Sequence, residues 1–357
     1  MKDQAQLEAS IERFQRGFWN KCMLDRPPVG IAPDRVWQPI LFLRAPLPDG
    51  NLQPAAVSRG LVRTEYEDSF LHRAVVSDDW MPFVAAWRAV PWLEAMCGCA
   101  VRCSAGSLAP GHFVSRAEDL ARVAIPGNTE WVEGLRRQTA ELVQTAPPEC
   151  WISPTILRGV SDVLGAMRGL DSFFLDLYDN PQALTEAAAR VTRLHLEVLQ
   201  AHFSLVPRKL GGSGHIYGYW APEPTTVIQE DAAGMCSPAA YQRLFMEHDA
   251  ELVRQIGRHV LFHLHSTGYR HYRSVLEIPR IAGLEITVEA GGPPLAEMIP
   301  DLRLILERSR LILSVDGHFG QLRDALRKLP KEGLYLIISD RFISAEKDFR
   351  EFVRANW

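Results

Sequence analysis

Hydrophobic and polar positions alternate most regularly in the C-terminal third of the chain. In His259-Val260-Leu261-Phe262-His263-Leu264-His265 the short apolar run predicts a strand, and strand side chains leave by opposite faces in turn. His263 and His265 therefore share one face, and Phe262 and Leu264 the other. Residues 283–289 repeat the pattern, with Leu284, Ile286 and Val288 on an apolar face and Glu285, Thr287 and Glu289 on a polar one. Leu311-Ile312-Leu313-Ser314-Val315-Asp316-Gly317-His318 and Leu334-Tyr335-Leu336-Ile337-Ile338-Ser339-Asp340 complete four successive apolar strands, each ending in or carrying an acid or a histidine.

Helical periodicity opens the chain: Leu7, Ile11, Phe14 and Phe18 fall on one face, predicting that residues 1–24 form a helical extension packed on the body. After the turn Asp25-Arg26-Pro27-Pro28, the apolar Val29-Gly30-Ile31-Ala32 is a first strand. Prolines and the Asp49-Gly50 turn make residues 35–58 a long loop over the mouth of the fold. The acids Glu65, Glu67, Asp68, Asp78 and Asp79 are expected on a solvated face. Pro82 and Pro91 bracket a helical stretch at 83–90, and beyond it Cys99, Val101 and Cys103 share one face of a strand, in a spacing that suits packing better than zinc.

A helix over 129–145 takes Thr129 as its cap, and a strand over 150–157 leads into Arg158-Gly159. Asn180-Pro181 opens the longest helix, to about residue 205, with cap and first-turn proline in the favoured order. A glycine-rich strand over 211–220 is expected to bring His215, Tyr219 and Trp220 to the mouth. Ser237-Pro238 begins a helix to about 258, and further helices follow near 272–278, 294–308, 319–329 and 345–353. Counted from Val29, about eight strand–helix units alternate, which predicts an α/β chain forming a single (β/α)8 TIM-type barrel over residues 1–357.

Composition adds exclusions. The chain has 357 residues, 47% hydrophobic and 23% charged, with a net charge of -4. Nothing here is the basic surface a nucleic-acid binder needs. Six cysteines are too sparse for a disulfide scaffold, and no apolar leader or membrane-length run occurs, so a cytoplasmic protein is expected. The glycines of 211–218 miss the dinucleotide spacing, and neither a phosphate loop nor a Gly-x-Ser-x-Gly elbow is found, so no nucleotide cofactor is expected.

The candidate chemistry gathers at the strand ends. Two same-face imidazoles, His263 and His265, read as a metal site or an acid/base pair. Asp316 and His318 read as a proton-transfer pair or as a turn, and Glu289, nearer its strand end than Glu285, as the better catalytic acid. Arg158 is placed to hold a carboxylate or phosphate, or else a surface salt bridge. Tyr219 and Trp220 are expected to wall a substrate pocket with His215, Asp231 and Glu285, although aromatic packing accounts for the two rings equally well.

Distributed stretches resemble the uroporphyrinogen decarboxylase superfamily: Asp25-Arg26-Pro27, Arg158-Gly159-Val160-Ser161-Asp162, Asp176-Leu177-Tyr178-Asp179-Asn180-Pro181, Asp231 to Ser237-Pro238, His263-Leu264-His265, Leu276-Glu277-Ile278-Pro279 and Gly291-Gly292-Pro293-Pro294. The resemblance implies a barrel and either decarboxylation or methyl transfer to a corrinoid protein or a thiol. The decarboxylase's arginine-rich motif is missing from residues 18–26. The zinc methyltransferases' His-x-Cys becomes His263-Leu264-His265, and Ser339-Asp340 stands about where their later cysteine falls. By this resemblance a divalent metal, zinc or else iron, is held by His263, His265 and Asp340. A small-molecule substrate, a separate corrinoid protein as acceptor and a homodimer are further expectations, with a decarboxylase or a non-catalytic metal-binding barrel as alternatives.

Overall fold

The computed structural model describes residues 2–33, 49–56, 76–104, 107–315 and 318–357. In chain order its strands are β1 (Val29–Ala32), β2 (Gly50–Leu52), β3 (Phe83–Val84), β4 (Ala100–Ser104), β5 (Ser107–Gly111), β6 (Trp151–Ile152) and β7 (Ser213–Gly214). β8 (Trp220–Ala221), β9 (Thr225–Gln229), β10 (His259–His265), β11 (Gly283–Val288), β12 (Leu311–Val315) and β13 (Leu334–Ser339) follow. Six of them form one parallel sheet in the order β1-β13-β12-β11-β10-β9. Every strand end in it therefore lies along the same border, as parallel pairing through helical crossovers requires.

Alternation along these strands divides the molecule into two cores. Val260, Phe262 and Leu264 of β10, Leu284, Ile286 and Val288 of β11, and Leu334, Leu336 and Ile338 of β13 pack with helical residues such as Leu252, Leu302 and Ile305. The opposite face carries Val227, Leu261, Ile312, Tyr335 and Ile337, which pack with Phe14, Phe18, Trp80, Phe83 and Trp151. His263, His265 and Glu285 belong to this second face by strand parity. Gly30 lets β1 join it: a Cβ there would lie 2.3 Å from the Tyr335 hydroxyl and 3.1 Å from the Trp80 ring.

The end of the sheet where strands begin is sealed by the N-terminal segment. The helix Gln4–Arg13 starts on an Asp3–Gln6 capping box and continues as a π-turn through Phe14–Trp19. There the Trp19 indole donates to the Trp220 carbonyl at 2.7 Å and its ring meets that of His259 at 4.7 Å. The open end of the sheet is thus the one where strands finish.

Among the described residues the expected closed barrel is not found. The neighbours beside β1 among those residues are Asp78 and Asp79, not a strand, and the Asp79 amide donates to the Val29 carbonyl at 2.6 Å. Asp78 accepts from the Ile31 amide at 2.7 Å, and Asp79 from the Val29 amide at 2.9 Å. Asp79 is also paired with Arg26 and, at 3.4 Å, with Arg13. These two acids are therefore buried clamps on a sheet edge and not the solvated face expected of them. β7 and β8 pair as a separate hairpin, and β3 pairs with β6 as a separate parallel couple, Phe83 facing Trp151. The stretch 83–90, expected to be helical, gives β3 and a turn. Glu65, Glu67 and Asp68 lie outside the described residues, as does most of the expected loop over 35–58.

Several ends differ from expectation by a residue or an element. The helix Thr129–Thr145 is capped by Asn128, which accepts from the Glu130 amide at 3.1 Å, and not by Thr129. Pro181–Leu205 is the longest helix described, and Ser237 caps Pro238–Leu244. Cys99, Val101 and Cys103 do share a buried face, near β4 of the antiparallel β2-β4-β5 sheet. No helix among the described residues is long and apolar enough to cross a membrane.

Candidate metal centre

The register between β9, β10 and β11 builds the site. His263 pairs with Gln229 on one side and with Glu285 on the other, and His265 pairs with Thr287. Residues in register on parallel strands point the same way, so Glu285 lies beside His263 as its cross-strand neighbour. Its carboxylate bonds His263 Nδ1 and accepts from Thr287 Oγ1 at 3.0 Å and Ser314 Oγ at 2.5 Å. The Tyr217 hydroxyl stands 3.1 Å from the same Nδ1 and also bonds Glu285. A fully buried carboxylate is costly unless paired and bonded, and Glu285 has an imidazole and three hydroxyls.

His265 lies one step nearer solvent, its Nδ1 3.2 Å from Glu289 Oε1 but not hydrogen-bonded to it. With a glutamate at each Nδ1, both Nε2 atoms are turned toward Asp231, whose Oδ1 is 4.0 Å from His263 Nε2 and 3.8 Å from His265 Nε2. The two rings meet edge to face at 4.6 Å. One donor atom from each of Asp231, His263 and His265 lies within 4.8 Å of the other two. Two ligands of one ion bonded at about 2.1 Å stand at most about 4.2 Å apart, so small side-chain adjustments bring the three onto one cation. Glu285 on the far nitrogen of His263 is the arrangement that fixes a histidine's tautomer and leaves Nε2 free to bind, while Glu289 stands at the corresponding nitrogen of His265 without a hydrogen bond.

Asp231 is held from behind. Asp162 Oδ2 and Oδ1 accept from the Asp231 and Ala232 amides at 3.0 and 2.8 Å, and Gln229 Nε2 donates to Asp231 Oδ2 at 2.7 Å. Next to it, buried Glu230 accepts from the Val160 amide at 2.6 Å, from the Ser161 amide at 2.9 Å and from the Ser161 hydroxyl. Loss of water, then the charges of Asp231 and Glu230, push the Asp162 carboxyl well above the usual range. Burial opposes protonation of His263, but Glu285, Asp231 and Glu289 outweigh it and raise its pKa. Burial, then Glu285 and Asp231, raise the Tyr217 phenol far above its ordinary value, so it stays a donor. An excess of carboxylates around two imidazoles suits a divalent cation.

None of the other expected site residues joins this triad among the described residues. Asp340 follows β13, three inter-strand steps from β10, and its amide bonds the Ala32 carbonyl at 2.9 Å. The residue that stands with the two imidazoles as a possible third donor is Asp231, just after the adjacent β9, which the sequence reading had assigned to substrate. Arg158 is engaged with Glu94 at 3.3 Å, a carboxyl whose pKa burial raises against that arginine's pull. Tyr219 and Trp220 are in the second core at the closed end, Tyr219 Oη being 2.8 Å from Thr225 Oγ1 at the start of β9. His215 is stacked between Tyr217 and Tyr219 at 5.6 and 5.2 Å, and burial with His202 lowers its pKa to about 3. His318 begins the 3-10 turn Phe319–Gln321, and its Nε2 has no partner among the described residues. Asp316 lies outside the described residues.

Tyr217, Asp162 and Ser314 were not singled out from sequence. Ser314 had a readable signal, being the polar inner position of an apolar strand. Tyr217 and Asp162 act from a loop and a helix start, where no periodicity marks which way a side chain points.

No family model matches the chain, and no curated protein matches it. Among solved structures it is similar to a methyltransferase from Methanosarcina mazei, with a TM-score of 0.57 over 99% of this chain and 97% of that one. At 14% identity this likeness shows the fold alone.

Proposed function

We propose that this chain is a metal-dependent methyltransferase of the uroporphyrinogen decarboxylase type, moving a methyl group from a small substrate to a corrinoid or a thiol. The observation that carries the reading is the meeting of two imidazoles, His263 with Glu285 bonded behind it, and Asp231 where parallel strands end. Likeness of fold to a methyltransferase over nearly the whole chain supports it. The broken ladder is read here as an eight-strand barrel whose β3–β6 couple supplies the two strands missing from the six-stranded sheet.

In this reading Asp231, His263 and His265 hold the cation, zinc or iron. When bound, it would act as a Lewis acid toward a donor or acceptor atom. Glu285 keeps His263 oriented, Asp162 keeps the Asp231 loop in place, and Glu289 or His318 carries the proton. The acceptor would be a separate corrinoid protein or a thiol, and the chain would work as a homodimer. A decarboxylase acting on a small acid is the second reading, but it relied on Arg158 as carboxylate anchor, and Glu94 already engages that arginine.

The test is elemental analysis of untagged protein together with transfer of a labelled methyl group to free reduced corrinoid or thiol. Wild type is expected to carry about one divalent ion and to transfer label, and His265→Ala to lose both. Turnover that survives chelation and the H265A substitution would sink the proposal. Bound metal with no transfer across donors would point to a non-catalytic metal-binding barrel.

A further inference from the structure

The kinds of donor in the cluster carry a step that rests on the metal reading above. All three are nitrogen or oxygen. Cys236, five residues after Asp231, turns its thiol to the Ala233 carbonyl at 3.1 Å, and burial raises the pKa of that thiol. Cys97 and Cys150 are held un-ionised by burial, with thiols pushed up to about 12. No thiolate is on offer among these three.

A fourth protein donor is also missing among the described residues. The two nearest remaining carboxylates stand at Nδ1 atoms, Glu285 at His263 and Glu289 at His265, on the side of each ring away from Asp231. His263 and His265 come from one strand face and Asp231 from the next strand end, so the donors approach from the sheet. On the other side the cluster opens to solvent, the side chains of Asp231 and His265 being 39% and 38% exposed. Structural zinc sites close with four ligands and favour thiolate, whereas two histidines and one carboxylate on one side mark centres that keep positions open for exogenous ligands.

We propose that the centre is a three-donor, facial site for a five- or six-coordinate divalent cation of the Fe²⁺, Mn²⁺ or Co²⁺ kind. It leaves at least two adjacent positions for a small molecule that chelates through two oxygen or nitrogen atoms.

The experiment titrates metal-free full-length protein with Co²⁺, follows the visible d–d bands, and then adds oxalate as a bidentate probe. The expected result is weak bands of high coordination number that shift on adding oxalate, with Asp231→Ala weakening Co²⁺ binding at least 10-fold. Intense tetrahedral bands that oxalate leaves unchanged, or a sulfur-to-cobalt charge-transfer band, overturn the open three-donor site while metal binding stands. Undiminished Co²⁺ affinity in D231A overturns the donor assignment. No Co²⁺ binding by wild type overturns the metal reading itself.

Discussion

Glu285 shows how much of the site depends on one side chain that would touch no ion. It is fully buried and bonded to His263, Thr287 and Ser314, so its charge is fixed under the imidazole. Glu285→Gln keeps the size and removes the charge. Loss of such a supporting carboxylate typically costs 10–100-fold in metal affinity. A competitive chelator titration should show a loss in that range, and an affinity within twofold of wild type would separate Glu285 from metal binding. Buried histidines away from the site make a pH prediction. His195 has its pKa lowered to about 4 by burial. The unfolded chain therefore takes up a proton near pH 6.5 that the folded chain refuses, and the stability this histidine contributes is whole above 6.5 and lost as pH falls toward 4. Asp249 works the other way, since burial raises its carboxyl to about 7: what it contributes is whole below about 3.8 and lost as pH rises through 7. The two overlap, so the readout is a difference. Between pH 6.5 and 4 the stability gap between wild type and His195→Gln, from urea unfolding, should change by roughly 1.4 kcal/mol per pH unit. A gap that stays constant would show His195 titrating alike in both states.

At the scale of elements, the strands were legible because each obeys a period of two between turns, and His263, His265 and Glu285 could be put on one face from that alone. The third donor was not legible in the same way. Periodicity gives faces but not neighbours, and sheet order decides that β9, not β13, lies beside β10. The resemblance favoured Asp340, while the residue placed with the two imidazoles as a possible donor, Asp231, follows the adjacent strand. The edge of β1 was hidden for a related reason: Asp78 and Asp79 look solvated in a row of acids, yet they replace a missing strand by accepting its amides. Such a clamp leaves a strong mark when broken. Asp79→Ala strands Arg26 with its guanidinium buried and leaves the Val29 amide unpaired. Removing one partner of a buried ion pair costs about 3–5 kcal/mol. Denaturant unfolding of D79A should show a loss of that size, and a loss below 1 kcal/mol would mean that the Asp79 carboxylate does not hold the edge of β1.

At the scale of the whole molecule, chemistry and packing occupy opposite ends of one sheet, and a single loop reaches both. Between β7 and β8, Tyr217 extends to His263 and Glu285, while Tyr219, two residues on, faces the closed end and bonds Thr225. Sequence could rank these aromatic residues only by type, and it singled out Tyr219 and not Tyr217, because loop residues follow no period that tells inward from outward. The pair therefore makes a test of the layout. Tyr219→Phe removes one buried hydrogen bond and should lower stability by about 1 kcal/mol with metal affinity unchanged. Tyr217→Phe removes a hydroxyl from the Glu285 carboxylate, leaves His263 less firmly oriented, and should weaken metal binding by more than it shifts the unfolding midpoint. Both variants keep the ring and its packing, so any contrast between them belongs to the hydroxyls. Equal effects on metal affinity would mean that the two ends of the sheet are not separate, and that the closed end holds more than a core.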